Sequence, residues 1–367
     1  MRPNQEQSGG DGAVNAQAGR DVVVIGITAS DAIEIANGVF WKNFLTMSGA
    51  AEDVLRVRVE RIIRDFVQKL QAENPAGLSS MSDPDMLRTL YAAEEGYACS
   101  GEDDLEEALL GLLVDRAGQT ERDLKTLVLN QAVSTLPKLS KQQRAILAVL
   151  FFTDNSPYAG PFDLESFYGY VADFLVPFVE LLPEKSSEIG YMAYTGVGSI
   201  AAGSITLEDM FYRSEYGFFT NGFTREGTDA AHRLPNPVAE PGWVPFLADP
   251  SVFIPCVRNP EKLQINARSL SDVQELASAK EIPTLVTHQD TGRMQEPEIK
   301  ADLIARFPQI KKLFDKWDSL GLSSFELNAV GIAIGHACQR KMVGSAVSTP
   351  LEAFLPLRQA TRTQHLL

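Results

Sequence analysis

Between Leu55 and Leu70 the apolar residues Leu55, Val59, Ile62, Ile63, Phe66, Val67 and Leu70 recur three and four positions apart, with Arg56, Glu60, Arg64 and Gln68 elsewhere around the cylinder. A strand exchanges faces at every residue, so this spacing admits only a helix with one side against a core. Start signals for further helices follow along the chain. Thr28 with Asp31 predicts a capping box and a helix over 29–46. Asp83-Pro84 offers a cap and then a proline where its missing N–H costs nothing, predicting a helix to about Ala98. Glu102 to Glu107 opens the next, carried by Leu105, Leu109, Leu112 and Leu113. Thr120 with Asp123 and Ser140 with Gln143 mark two more, the second ending in AILAVLFF. Residues 162–182 form an aromatic helical stretch (Phe162, Phe167, Tyr170, Phe174, Phe178) that Pro177 should kink or end. Helices are also expected at about 270–280, 296–306, 308–318 and 324–338, the last behind Ser323 with Glu326.

The expected fold class is therefore mainly α: a two-lobed helical protein with a short N-terminal β-arch or hairpin. A chain of 367 residues suits two domains of ordinary size. The turn-like DNSPYAGP at 154–161 divides a helical domain over 27–156 from a second over 157–345. Seven prolines between 232 and 260 make a loop-rich excursion in the second, and residues 346–367 are a tail. No repeat of 20–50 residues suggests a solenoid.

Residues 1–26 break the helical pattern. After a polar, glycine-rich end, Gly12, Gly19 and Gly26 recur at a spacing of seven and bracket AVNAQA and RDVVVI, each long enough for one short strand. A lone two-strand hairpin is marginal in water, so this segment needs partners, either its own fold or copies from other chains.

Composition excludes several classes of ligand. With 33 basic against 48 acidic residues, the net charge of −15 opposes a nucleic-acid backbone. Cys99, Cys256 and Cys338 are odd in number, with neither CxxC nor Cys/His ligand spacing, which argues against disulfides and structural zinc. The first twenty residues lack the apolar core of a signal peptide, and a cytoplasmic protein is expected.

Motifs for catalysis are not visible, and neither a cofactor nor a metal is expected. The run Glu94, Glu95, Glu102, Asp103, Asp104, Glu106, Glu107 has no basic partner nearby in sequence and no EF-hand spacing, and reads as a solvated helix start. Gly198 to Gly203 has phosphate-loop spacing, yet Ser204 stands where the lysine belongs, so GVGSIAAGS reads as close helix packing. The surrounding 189–207 carries no charge between Glu188 and Glu208; its Gly, Ser, Thr and Ala content favours a buried helix over a membrane span. His232, His288, His336 and His365 form no HxxxH or HExxH pair, and Arg358 and Arg362 belong to a frayed end without stacking aromatics.

The stretch GDGAVNAQAGRDVVVIGIT, followed by SDAIEIANGVFWKNF, resembles the amino-terminal region of a group of uncharacterised bacterial proteins associated with conflict and antiphage-defence loci. The likeness continues through LLVDRAGQTERDLKTLVLNQAVSTLPKLSKQQ and SFELNAVGIAIGHA. Asn15-Ala16-Gln17-Ala18-Gly19 is similar to the N-x-Q-x-G pattern of amyloid-signalling motifs, in which strands stack across chains through Asn and Gln ladders. Arg20-Asp21 departs from that pattern: an in-register stack would set like charges on one another, which favours a small closed oligomer or folded β-arch. The resemblance implies self-association through Gly12, Asn15, Gln17, Gly19, Arg20, Asp21, Val23, Ile25 and Gly26. The expected function is a defence-associated binding and signalling protein whose partner is itself or a protein with a similar β-motif. Alternatives are a membrane-disrupting effector using 189–207 and an enzyme with an unfamiliar site near Tyr191, Tyr194 and the acidic run.

Overall fold

The computed structural model describes residues 27–43, 50–155, 164–224, 253–267, 269–279, 292–340 and 350–355. These are mainly helical, as the periodicity predicts. The β-prone segment at 12–26, residues 232–252 of the 232–260 excursion, and residues 346–349 and 356–367 of the tail lie outside them.

Helices α1 (Ala29–Asn43), α2 (Ala50–Glu73), α3 (Pro84–Ser100), α4 (Asp103–Ala117), α5 (Leu124–Thr135) and α6 (Lys141–Asn155) follow in order, with a 3₁₀ segment Pro75–Ser82 between α2 and α3. Every member of the Leu55–Leu70 stripe is buried. The proposed starts hold at Asp83, whose side chain accepts from Asp85 N–H, and at Ser140, which exchanges bonds with Gln143. One start shifts: Asp123, not Thr120, caps α5 by accepting from Thr126 N–H at 2.8 Å. A carboxylate is the stronger acceptor at a helix N-terminus.

Beyond α6 the elements shorten: α7 (Leu164–Phe174), α8 (Val176–Val179), α9 (Ser187–Tyr194), α10 (Leu207–Ser214), α11 (Leu270–Ala279), α12 (Glu296–Arg306), α13 (Ile310–Trp317) and α14 (Ala329–Arg340). Pro177 sits in the four-residue α8, directly after the break at Leu175. Strands β2 (Phe253–Pro255) and β3 (Leu263–Ile265) pair antiparallel, as do β1 (Gly198–Ile200) and β4 (Phe325–Leu327) in the register Gly198↔Leu327, Ser199↔Glu326, Ile200↔Phe325.

The β1–β4 pair corrects two expectations. Residues 189–207 are not one helix: α9 ends, Gly196 takes the left-handed φ of 79° that favours glycine, and the chain turns into β1. Ser323 and Glu326 do not start a helix either, because Phe325–Leu327 is engaged by β1. Asn328 caps α14 instead, its Oδ1 accepting from Val330 and Gly331 N–H at 3.0 and 3.1 Å while its Nδ2 donates to Gly196 O. A long-range ladder outweighs a weak local cap.

Helix α14 lies against α4, α5 and α6, so residues from both sides of 156 share one hydrophobic core. Gly335 makes that seat possible, since a Cβ there would stand 2.7 Å from Leu147 O of α6, and Gly331 lets the same helix meet the turn before β1, where a Cβ would stand 2.0 Å from Val197 O. Gln339, buried on the same helix, donates to Ala148 O of α6 and Phe174 O of α7.

Candidate functional site

The residues assigned to self-association, Gly12 through Gly26, lie outside the described residues, but the place where they join the body is defined. Thr28 Oγ1 accepts from Asp31 N–H at 3.2 Å, and Thr28 N–H donates to Asp31 Oδ2 at 2.9 Å, closing the expected capping box. Hydrogen bonds from Thr28 hold the Asp31 carboxyl below its usual range. Ala32, Ala36 and Phe40 then seat α1 on α2 and α3, with Phe40 5.9 Å from the Tyr91 ring and Arg56 5.1 Å over Trp41. Only Ile27 separates Gly26 from a capped and packed helix start.

The acidic run is not a solvated, unpartnered helix start. Arg61 of α2 reaches Asp103 at 2.9 Å and Glu106 at 2.6 Å, Lys69 reaches Glu107 at 2.9 Å, and the buried Arg144 of α6 holds Asp104 at 2.8 Å together with Glu102. The partners are more than thirty residues away in sequence, and the helical hairpins bring them back. No described trio of His, Cys, Asp or Glu could hold a metal ion.

Glu94 of the same run behaves differently. Its side chain is buried in α3 and neither carboxylate oxygen has a hydrogen-bond partner. Burial alone pushes its carboxyl well above the normal value. Two and a half turns earlier Asp85 stands in the opposite setting. Asn130 donates to its Oδ2 at 2.7 Å and the buried Arg116 at 3.0 Å, and these bonds hold it low despite partial burial. Arg116 also reaches Asp83 at 3.1 Å and Asn130 Oδ1 at 2.7 Å, tying the N-terminus of α3 to the C-terminal turn of α4 and to α5. Each charge favours the helix dipole it sits on.

A polar cleft of ≈ 580 Å³ opens among α2, α4, α5 and α14, lined by Lys125, His336, Arg340, Glu73, Asp115 and Glu352 among others. Arg340 bridges Asp115 at 2.8 Å and Glu73 at 3.3 Å, and Lys125 pairs with Glu352. Burial is the largest single influence on the Glu352 carboxyl and raises it, but the bond and charge of Lys125, a backbone bond and the charge of His336 together carry the net direction down. Cations and carboxylates alternate around this lining, which suits a small polar ligand better than an apolar one.

Around α9 and β1, uncharged residues come to the surface. Tyr194 is 86% exposed and Ile200 59%, with Tyr191 6.2 Å from Tyr194 between ring centres. Tyr191 and Tyr194 belong to α9 and the acidic run to α3 and α4. No described helix is long and apolar enough to cross a membrane.

Residues 26–355 match the model of a protein family described only as ":-like". The chain belongs to this family. No curated protein and no solved structure matches it. The family stretch takes in the cleft, the Arg116 network and the β1–β4 pair, whereas Gly12 through Ile25 fall outside it. Sequence reasoning missed Arg116, Asn130 and Arg144, and placed Glu94 in a solvated run although it is buried. Arg116 and Arg144 had only a weak signal, each at the edge of an apolar run (LLGLLV before Asp115-Arg116, AILAVLFF after Arg144); for Glu94, position on the buried stripe of α3 was the available cue.

Proposed function

We propose that this family member is a binding and signalling protein of bacterial defence, in which residues 12–26 self-associate or recruit a protein with a similar β-motif. The helical body senses the trigger or carries out the response. The observation that supports this most is the junction: one residue, Ile27, connects the β-prone segment to a helix whose first turn is capped and whose apolar stripe is docked. Assembly of residues 12–26 would therefore load α1 directly, with no slack linker to absorb the change. The family boundary at residue 26 agrees with a segment added to a common body. The cleft beside Lys125 and Arg340 is the body's own place for a small polar ligand.

Arg20 and Asp21 limit the assembly, since parallel in-register stacking would superpose like charges. A small closed particle is expected, and no fibre. Deletion of residues 9–26 should lower the particle mass in light scattering and remove phage protection in cells. If both are unchanged by the deletion, the reading fails.

A further inference from the structure

We infer that the outer edge of β1 is the docking site for the leading β-prone segment of a second copy of the chain. This rests on the reading of residues 12–26 as a self-association element and supplies the surface that element meets.

The edge is open by the geometry of its ladder. In an antiparallel pair the backbone groups of successive residues turn alternately toward and away from the neighbour. Asn328 N–H donates to Val197 O and Ala201 N–H to Ser324 O, so Val197, Ser199 and Ala201 face β4. Gly198 and Ile200 then present their N–H and C=O groups on the other side. No other described group bonds them, and among the described residues the sheet has only two strands.

Exposed edges in natural sheets are guarded by being very short, or by charges, prolines or a covering element. Strand β1 is short, at three residues, and has none of the other guards. Residues 189–207 contain no charged side chain and no proline, and Ser199, Ile200, Ala202, Gly203 and Ser204 are exposed. Beside the edge stand Tyr191 and Tyr194, the residue type most enriched at protein interfaces along with tryptophan and arginine. An edge without those other guards, next to exposed aromatics, is the arrangement that accepts an added strand, with main-chain bonds supplying affinity.

The chain carries a segment of matching chemistry. Residues 20–25, RDVVVI, have the β-branched content of a strand, and AVNAQA before them has no charge. Six residues extend about 20 Å, enough to run along 198–203. Arg20 and Asp21 cancel, so the segment is not repelled by a body whose net charge is strongly negative. Its attachment argues for a second copy. The segment ends at Gly26, and α1 begins at Ala29 with α2, α3 and the 3₁₀ segment as its main packing partners. Strand β1 packs on β4 and α9, on a different part of the body.

The test uses the full chain with Cys99, the exposed cysteine, replaced by Ser. One pool carries Val23→Cys and the other Ile200→Cys; they are mixed and oxidised. A disulfide between the two pools, with Ile200→Lys and deletion of 9–26 each lowering the particle toward the 40.2 kDa single chain, is the expected result. Ile200→Pro is the second variant, because it deletes an outward N–H while leaving the bonds to β4 intact. If the deletion dissociates the particle but neither Ile200 variant does and no disulfide forms, self-association stands and the β1 edge is not its surface. In a third chain that carries both substitutions, a disulfide that closes only within the single chain, with none between the two pools, overturns the second copy as occupant. A particle unaffected by the deletion overturns the segment's role and this inference together.

Discussion

Helices α1 to α6 and the β1–β4 region are built on different principles. In the first, four of the six helices are announced by their own caps, at Thr28 with Asp31, Asp83, Asp123, and Ser140 with Gln143, and charged groups between the helices are collected by Arg61, Arg116 and Arg144. In the second, local signals mislead. A segment without charge or periodicity forms a strand because Phe325–Leu327, more than a hundred residues later, pairs with it. The first region ties most of its buried charges into shared contacts, with Glu94 and single atoms such as Ser80 Oγ, Glu106 Oε1 and Arg144 Nε left without a partner; the second leaves a strand edge open. Stability is invested where the chain is locally consistent, and the exposed backbone is left where an interaction would be made.

The largest expected effect strikes the first region. Arg116→Ala removes a buried cation that joins three helices and strips Asp83, Asp85 and Asn130 of their shared donor. A loss of roughly 3 kcal/mol in urea unfolding is expected. A change under about 0.5 kcal/mol would mean that the network is not the tie between α3, α4 and α5.

In the second region Gly331→Ala drives a methyl group into Val197 O and should cost about 2 kcal/mol by overpacking. Because α14 carries both the cleft and the support of β1, the same variant should raise hydrogen exchange at Val197 and Ala201. Protection unchanged there would separate the α14 seat from the strand pair.

Glu94 sharpens the contrast with its own neighbours. Its folded carboxyl titrates above the unfolded value, so the folded state holds the extra proton. Its stabilising contribution is complete below the unfolded carboxyl range and is lost as pH rises through the folded value. Glu94→Gln removes that slope and should make the protein more stable than the parent at pH 8 by on the order of 1 kcal/mol, with little advantage at pH 4. Equal gains at both pH values would show that proton binding is not the cause. The smallest effect is expected from Tyr194→Ser, which should leave the unfolding midpoint within about 0.5 kcal/mol of the parent because the ring is 86% exposed.

The helical body was legible because its information is local. The stripe Leu55 to Leu70 and the caps at Thr28, Asp83 and Ser140 need only the next few residues to be read. The β1–β4 pair was hidden because three-residue strands carry too little pattern, and because Ser323 with Glu326 imitates a cap that the ladder displaces. The acidic run showed its charge, but its partners lie on α2 and α6, and pairing of that kind appears only once the helices are packed. The residues of the candidate assembly element, Asn15 and Gln17 among them, were legible as chemistry; their binding surface was not, since an open strand edge is a property of the fold.

The most direct test of the account is the mass of the purified full chain in sedimentation velocity, measured beside the chain lacking residues 9–26 at the same concentration. The account predicts a discrete multiple of 40.2 kDa for the full chain and a single-chain species for the deletion. Two chains that sediment as the same species, both single or both assembled, would contradict it.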